Sequence, residues 1–315
     1  MPCLRKPIES STSTSTISKS NQMETVVVSP VLVAHKKHHP NVADIGIICG
    51  SGLQELDFLK DKYEKDVTTP FGKPSQTLTC GTVEDVQCVI LSRHGAKHTI
   101  MPTLVNYRAN IHALKEEGCT HILATTACGS LQESISPGDI VVLDQFIDRT
   151  TKRCPTFFDG SDIAPKGICH LEMHTPFSPK LAKLLHDTST KLGYKTHPTG
   201  TVVTIEGPRF STRAESKMFR TWGGHIINMT TVPEVILAKE LAMCYSSIAL
   251  VTDYDSWREN EDGVSVDTVL KTFKENAVKA ENILKSVIPE IAKHNWTDEL
   301  QHNKEILTGS ILSYT

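Results

Sequence analysis

The feature that most constrains this chain is a succession of short apolar runs, each too short to be a helix and each ending in polar residues. IGIIC (45–49), QCVILS (87–92), HILATT (121–126), DIVVLDQF (139–146), GTVVTI (200–205), HIINM (225–229) and SSIALVT (246–252) all have this form. Such runs suit strands buried on both faces. Helical periodicity lies between them. Leu104, Tyr107, Ile111 and Leu114 share one face of a segment over 104–117, which Gly118 can close. Residues 178–193 open with Ser-Pro and end in Gly. Thr212 with Glu215, and Thr231 with Glu234 beside Pro233, read as capping boxes of two further helices. A last helix is expected over 266–293, with Val266, Val269, Leu270, Phe273, Val278, Ile283, Leu284, Val287 and Ile291 on one apolar side. Strands alternating with helices specify an α/β fold around a mixed, mostly parallel sheet. No repeat or linker interrupts 44–293, so one domain is expected.

Residues 1–43 have a different texture. ESSTSTSTISKSNQ (9–22) is Ser/Thr-rich low complexity, followed by HKKHHP (35–40). A disordered extension is the expectation; a presequence fits worse, because arginines are few and no amphipathic period shows. His35, His38 and His39 could take up a metal ion there, without implying a function.

Composition narrows the class. The net charge of -3 argues against a general nucleic-acid binder, and no stretch approaches the ~20 apolar residues of a membrane span. Nine cysteines form no C-x-x-C pair, and several sit in apolar runs. They read as reduced thiols in a cytoplasmic protein; the nucleus is expected as an additional location. Two Asn-x-Thr triplets, at 228 and 295, match the glycosylation pattern, but nothing else points to secretion.

Six of the strands run out into glycine, hydroxyl or charged residues. They lead to Ser51, to Arg93 and His94, to Thr126, to EGPRFS (206–211), to Thr230, and to TDYD (252–255). Ligands of open α/β sheets bind beyond the carboxyl ends of the strands, so one composite site is expected. Arg, hydroxyls and a glycine turn suit a small tetrahedral anion. GSGLQE (50–55) lacks the third glycine of a dinucleotide fingerprint, and no phosphate-loop, zinc-protease or nucleophile-elbow motif is present. Asp253 and Asp255 are two apart at a strand end and could project together. Residue chemistry alone leaves them as magnesium ligands, a catalytic dyad or the edge of a ligand.

GSGL (50–53), RHG (93–95), TTACGSL (125–131), TIEGPRFS (204–211), NMTTVPE (228–234) and TDYD (252–255) occur in this order in the trimeric purine nucleoside phosphorylases. Over roughly 44–293 the chain resembles that family, and most of all its branch acting on 5′-methylthioadenosine. The resemblance implies a twisted mixed sheet flanked by helices, with a nucleoside phosphorylase domain over 44–315, assembled as a homotrimer with the site at a subunit interface. It implies phosphorolysis: inorganic phosphate attacks C1′ of the ribose, adenine leaves, and 5-methylthioribose 1-phosphate forms. No metal or organic cofactor takes part, and the partners are a small nucleoside and phosphate, not nucleic acid or membrane. Carried over by motif, Ser51, Arg93, His94, Thr126 and Thr230 meet phosphate; Ser stands at 51 where that branch often has Thr, and either supplies the hydroxyl. Met229 lies under the ribose, Thr126 and Ala127 line the sugar side, and Phe210 and Ser211 flank the base. His98, Val266, Val269 and Leu270 wall the methylthio group, with His170 and Leu312 supplied by the neighbouring subunit.

The 6-oxopurine members of the family have Glu after the Phe matching Phe210 and Asn where Asp253 stands. Ser211 and Asp253 therefore point to a 6-aminopurine. Asp253 is expected to protonate N7 of the departing base, with Asp255 beside it at the 6-amino edge and the two carboxyls sharing a proton. Adenosine is expected as a second substrate. A general purine nucleoside phosphorylase, a hydrolytic nucleosidase and a non-catalytic nucleoside binder are the competing readings.

Overall fold

The computed structural model describes residues 44–51, 57–259 and 266–312, with main chain only over 266–271. The extension over 1–43 lies outside the described residues. The first half of the chain gives strands β1 (Ile45–Cys49), β2 (Lys60–Lys65), β3 (Leu78–Val83) and β4 (Val86–Ser92), helix α1 (Tyr107–Glu116), then β5 (His121–Ser130), β6 (Ile140–Val142), β7 (Gln145–Arg149) and β8 (Ile168–Cys169). The second half gives α2 (Pro179–Lys191), β9 (Thr196–His197), β10 (Thr201–Ile205), α3 (Arg213–Thr221), β11 (Ile226–Asn228), α4 (Thr231–Glu240), β12 (Cys244–Asp253), α5 (Val266–Ala292), α6 (Thr297–Ser310) and β13 (Ile311–Leu312).

Among the described residues eleven strands form one sheet, running β2-β3-β4-β1-β5-β11-β10-β7, with β12, β6 and β9 branching from β5. The sheet is mixed. β1–β4, β1–β5, β12–β5, β10–β11, β10–β7 and β6–β9 are parallel, whereas β11 meets β5 antiparallel. Strand β5 makes the branch possible. Its first half pairs with β1, its whole length with β12, and its end with β11.

Period-2 alternation sends successive side chains to opposite faces. On β12, Tyr245, Ala249 and Val251 join the core under α1 and α4, while Cys244, Ile248 and Leu250 join the core under α2 and α5. The expected helix ends hold: Ser178 accepts from Leu181 N–H, Thr212 and Glu215 complete a capping box, and Gly118 and Gly193 take positive φ.

Several expectations need correcting. The run 139–146 is two strands, because Asp144 turns aside to accept from Gly200 N–H and sends β7 to a different branch. Leu104 is 68% exposed on a separate 3-10 turn, and Val278 is 60% exposed, so neither belongs to its apolar face. Helix α6 and the short strands β2, β3, β8, β9 and β13 carry too little apolar pattern to be read from sequence. Thr231 and Glu234 do not form a capping box: Val232 is non-helical, and both side chains are engaged elsewhere.

Candidate active site

The C-terminal ends of β1, β4, β5, β10, β11 and β12 open into one cavity of about 470 Å³. It is lined by Ser51, Arg93, His94, His98, Thr126, Ala127, Phe210, Ser211, Met229, Thr230, Asp253 and Asp255. Twelve side chains from six separate segments thus meet where the sequence placed them. Val266, Val269 and Leu270 stand on the opening turns of α5, where the side chains lie outside the described residues; Phe273, one turn on, lines the cavity.

At one end sit the polar donors. Arg93 is 1% exposed, and its fork is held by Glu234: Nε–H donates to Oε2 at 2.6 Å and Nη2–H to Oε1 at 2.8 Å. Nη1–H donates to the Thr125 carbonyl at 3.1 Å. Burial alone would lower the Arg93 pKa, but Glu234 more than offsets it and holds the guanidinium charged. The sequence assigned that fork to an anion. In the structure Glu234 takes it, and a guanidinium with five donors retains one N–H on each terminal nitrogen for the cavity. Tyr245 donates to Glu234 Oε1 at 2.7 Å, so the carboxylate is fully engaged. Gly50 makes the approach possible: a Cβ there would lie 2.5 Å from the Thr125 carbonyl.

His94 donates Nδ1–H to the Ile100 carbonyl at 2.7 Å. Burial, then the neighbouring Arg93 charge, pushes its pKa down to about 4. His98 packs 4.6 Å away ring to ring, and its Nε2 lies 3.4 Å from Ser51 Oγ. Asn228 ties the floor together. It donates to Thr126 Oγ1 and Thr231 Oγ1 and accepts from Thr204 Oγ1, linking the ends of β5, β10 and α4.

At the other end lies the carboxylate pair. β12 and β5 run in register to Val251 opposite Cys128, then slip so that Asp253 faces Gly129. Thr252 is the extra residue of this bulge, which turns Asp253 into the cavity. The strand stops there, and Asp255 follows in a left-handed conformation with φ 49. The two carboxyls therefore converge through a bulge and a turn, not through the regular alternation expected. They share no hydrogen bond among the described contacts; the Asp255 N–H donates to Asp253 Oδ1 at 2.7 Å.

Burial raises Asp253 to about 6, against the opposing Thr252 hydroxyl and Asp255 N–H. The geometry agrees. Thr252 Oγ1 lies 2.6 Å from Asp253 Oδ2 and 3.2 Å from the Cys128 carbonyl. One hydroxyl proton cannot satisfy two acceptors, so both contacts are filled together when the carboxyl carries a proton. Burial also raises Asp255, opposed by the Ser216 hydroxyl and the Ser256 N–H. Among the described residues, no three His, Cys, Asp or Glu side chains gather as a metal site would need.

His170 and Leu312 do not line this cavity. They lie on one exposed two-stranded ribbon, where Leu312 of β13 pairs with Ile168 of β8 and, at the other end of the ladder, His170 N–H donates to the Ser310 carbonyl. Sequence reasoning missed Glu234, Thr252, Asn228, Ile100 and Gly129. For Glu234 a signal existed: an Arg expected in a buried site needs a counter-charge.

The family model of the phosphorylase superfamily matches residues 44–289. A Xenopus tropicalis S-methyl-5'-thioadenosine phosphorylase is 60% identical over 85% of this chain and 96% of its own length. The Danio rerio protein of the same name is 58% identical over the same shares. Among solved structures, a Schistosoma mansoni methylthioadenosine phosphorylase in complex with adenine superposes with a TM-score of 0.83 at 44% identity, covering 85% of this chain and 99% of that one. A point variant of the adenosine/methylthioadenosine phosphorylase of that organism, in complex with methylthioadenosine, gives 0.82 at 44% identity, covering 85% and 98%.

Proposed function

Because the chain belongs to the phosphorylase superfamily, and within it to the family of the S-methyl-5'-thioadenosine phosphorylases, we propose that it cleaves S-methyl-5'-thioadenosine with inorganic phosphate. The products are adenine and 5-methylthioribose 1-phosphate. One observation carries this reading. A single cavity gathers the polar side chains of Ser51, Arg93, His94, Thr126 and Thr230 with Asp253, whose carboxyl burial raises to about 6.

The two ends explain the chemistry. As the glycosidic bond breaks, positive charge develops on the ribose and negative charge on the base. Phosphate stabilises the first, and a protonated Asp253 at N7 neutralises the second. Met229 and Ala127 support the sugar between them, and Phe210 and Ser211 flank the purine. Asp255 supports Asp253 through its main-chain N–H. These roles use only this chain's side chains and the two substrates, so the reading calls for no metal or organic cofactor.

His98 and Phe273, which line the cavity, are assigned to the 5′ substituent, together with Val266, Val269 and Leu270 as the sequence implies. An apolar wall separates methylthio from hydroxyl by about 1–3 kcal/mol, so adenosine is a slower second substrate. His170 and Leu312, exposed on one ribbon and outside their own cavity, complete the site of a neighbouring copy in a homotrimer. The protein acts in the cytoplasm, with the nucleus as an additional location, and the catalytic domain spans 44–315.

Adenine release from S-methyl-5'-thioadenosine, followed by chromatography with and without phosphate, tests the reading. Release should require phosphate and yield the sugar phosphate. Release in water alone would make the protein a nucleosidase, and no release would make it a binding protein. Faster turnover of inosine would make it a general purine nucleoside phosphorylase.

A further inference from the structure

We infer that Trp257 is a positioning residue of the base edge: its indole ties the turn that carries Asp255 to the end of β5, and so fixes where that carboxyl meets the 6-amino group of the purine. This rests on the phosphorolytic reading and adds to it a residue, outside the cavity, that sets the choice of base.

Asp255 needs outside support. Its φ of 49 is left-handed, a conformation uncommon outside glycine, so the structure around it must hold it. Its Oδ2 is buried and makes no hydrogen bond of good geometry, although the Ser216 and Ser211 hydroxyls lie near enough to act on its charge. The direction of the carboxyl is therefore set chiefly by the turn behind it.

Two side chains just after Asp255 pin that turn. Ser256 Oγ–H donates to the Ser211 carbonyl at 2.9 Å, and Trp257 Nε1–H donates to the Ser130 carbonyl at 2.9 Å. The second tie reaches the residues from which both carboxyls are placed. Ser130 ends β5, and Gly129 before it stands opposite Asp253. A Cβ on Gly129 would also lie 3.2 Å from that of Asp255, so this carboxyl packs on the same strand end. The indole ring is itself held firmly. It packs against the core of Leu131, Val203, Phe219 and Ile227, and the Arg220 guanidinium lies 3.5 Å from its centroid, an attractive cation–π contact. Trp257 is not among the residues that line the cavity, so it acts on the base through Asp255.

Calorimetric titration of the intact protein with adenine and with unsubstituted purine, phosphate present, tests this. Both bases offer N7, and only adenine offers the amino group. A hydrogen bond to a buried carboxyl is worth about tenfold in affinity, so adenine should bind about tenfold more tightly. Trp257→Phe keeps a ring beside Arg220 and removes the N–H. The ratio of adenine to purine affinity should then fall by about tenfold, whereas a general loss of structure weakens both bases alike. Asp255→Ala should lower the ratio as far, and adding Trp257→Phe to it should lower it no further, because the indole acts through that carboxyl. Arg220→Met leaves the N–H bond in place and loosens the ring, so a fall of about threefold is expected. An unchanged ratio in a folded Trp257→Phe, or in Arg220→Met where the first variant does not fold, overturns the inference. A further fall in the double variant overturns it too. Equal binding of the two bases by the unmodified protein removes Asp255 from the 6-amino edge and overturns it while leaving phosphorolysis intact. Absence of both adenine binding and phosphate-dependent release overturns the phosphorolytic reading itself.

Discussion

Gly129 sits opposite Asp253 where β12 slips past β5, and its missing side chain makes that contact possible. A Cβ at 129 would lie 2.8 Å from Asp253 Oδ1, and 3.2 Å from both Asp255 Cβ and Ile227 Cγ2. An ordinary contact needs about 3.5 Å, so in Gly129→Ala the carboxyl must retreat by roughly 0.7 Å. Neighbours on two further sides leave the methyl no other way to go. A misplacement of about 1 Å costs on the order of a hundredfold in rate, so kcat/KM for the nucleoside should fall by about 10- to 100-fold. Overpacking should lower stability by about 1–3 kcal/mol, which leaves the fold intact. The assay is adenine release at saturating phosphate, with KM for phosphate and the melting temperature measured alongside. Phosphate KM should stay within about twofold, because the nearest neighbours of a methyl at 129 are Asp253, Asp255 and Ile227 and none of the anion ligands. A folded variant with kcat/KM within twofold of the parent would show that the position of Asp253 does not set the rate. A matching rise in phosphate KM would show that the two ends are not separate.

Asp253→Asn should cut adenine-nucleoside phosphorolysis by at least about a hundredfold while sparing 6-oxopurine substrates; comparable losses on both would remove Asp253 from the N7 role. Affinity for adenine should fall as pH rises through about 6, because the bound base needs Asp253 protonated and its pKa is raised to about 6; Asp253→Asn should flatten that titration. Glu234→Gln leaves Arg93 buried without its partner, so denaturant unfolding should show a loss of about 3–5 kcal/mol together with a changed phosphate KM. Thr212→Ala removes one half of a formed capping box and should cost about 1 kcal/mol of stability, read as a lower unfolding midpoint in denaturant.

Much of this protein is legible in its sequence because buried strands and helix ends obey local rules. Seven apolar runs locate the central sheet, Ser178 and Thr212 mark helix starts, and polar residues after six strands mark the cavity rim. Each follows from the period of its element or from the donors that a helix end leaves open. The sequence could not show how the polar groups divide their bonds, since that depends on residues far apart in the chain. Arg93 reads as offering its fork to an anion until Glu234, 141 positions away, takes that fork and leaves only the outer N–H groups. Thr231 and Glu234 read as a capping box until Asn228 and Arg93 claim them. Asp253 and Asp255 look paired by strand alternation, yet they meet through a bulge at Thr252 and a left-handed turn. Local pattern therefore determined which strand ends reach the cavity. Only the packing of β4, β5, β12 and α4 against one another decided which atoms stay free to act, because a hydrogen bond is settled by the nearest partner in space and not along the chain.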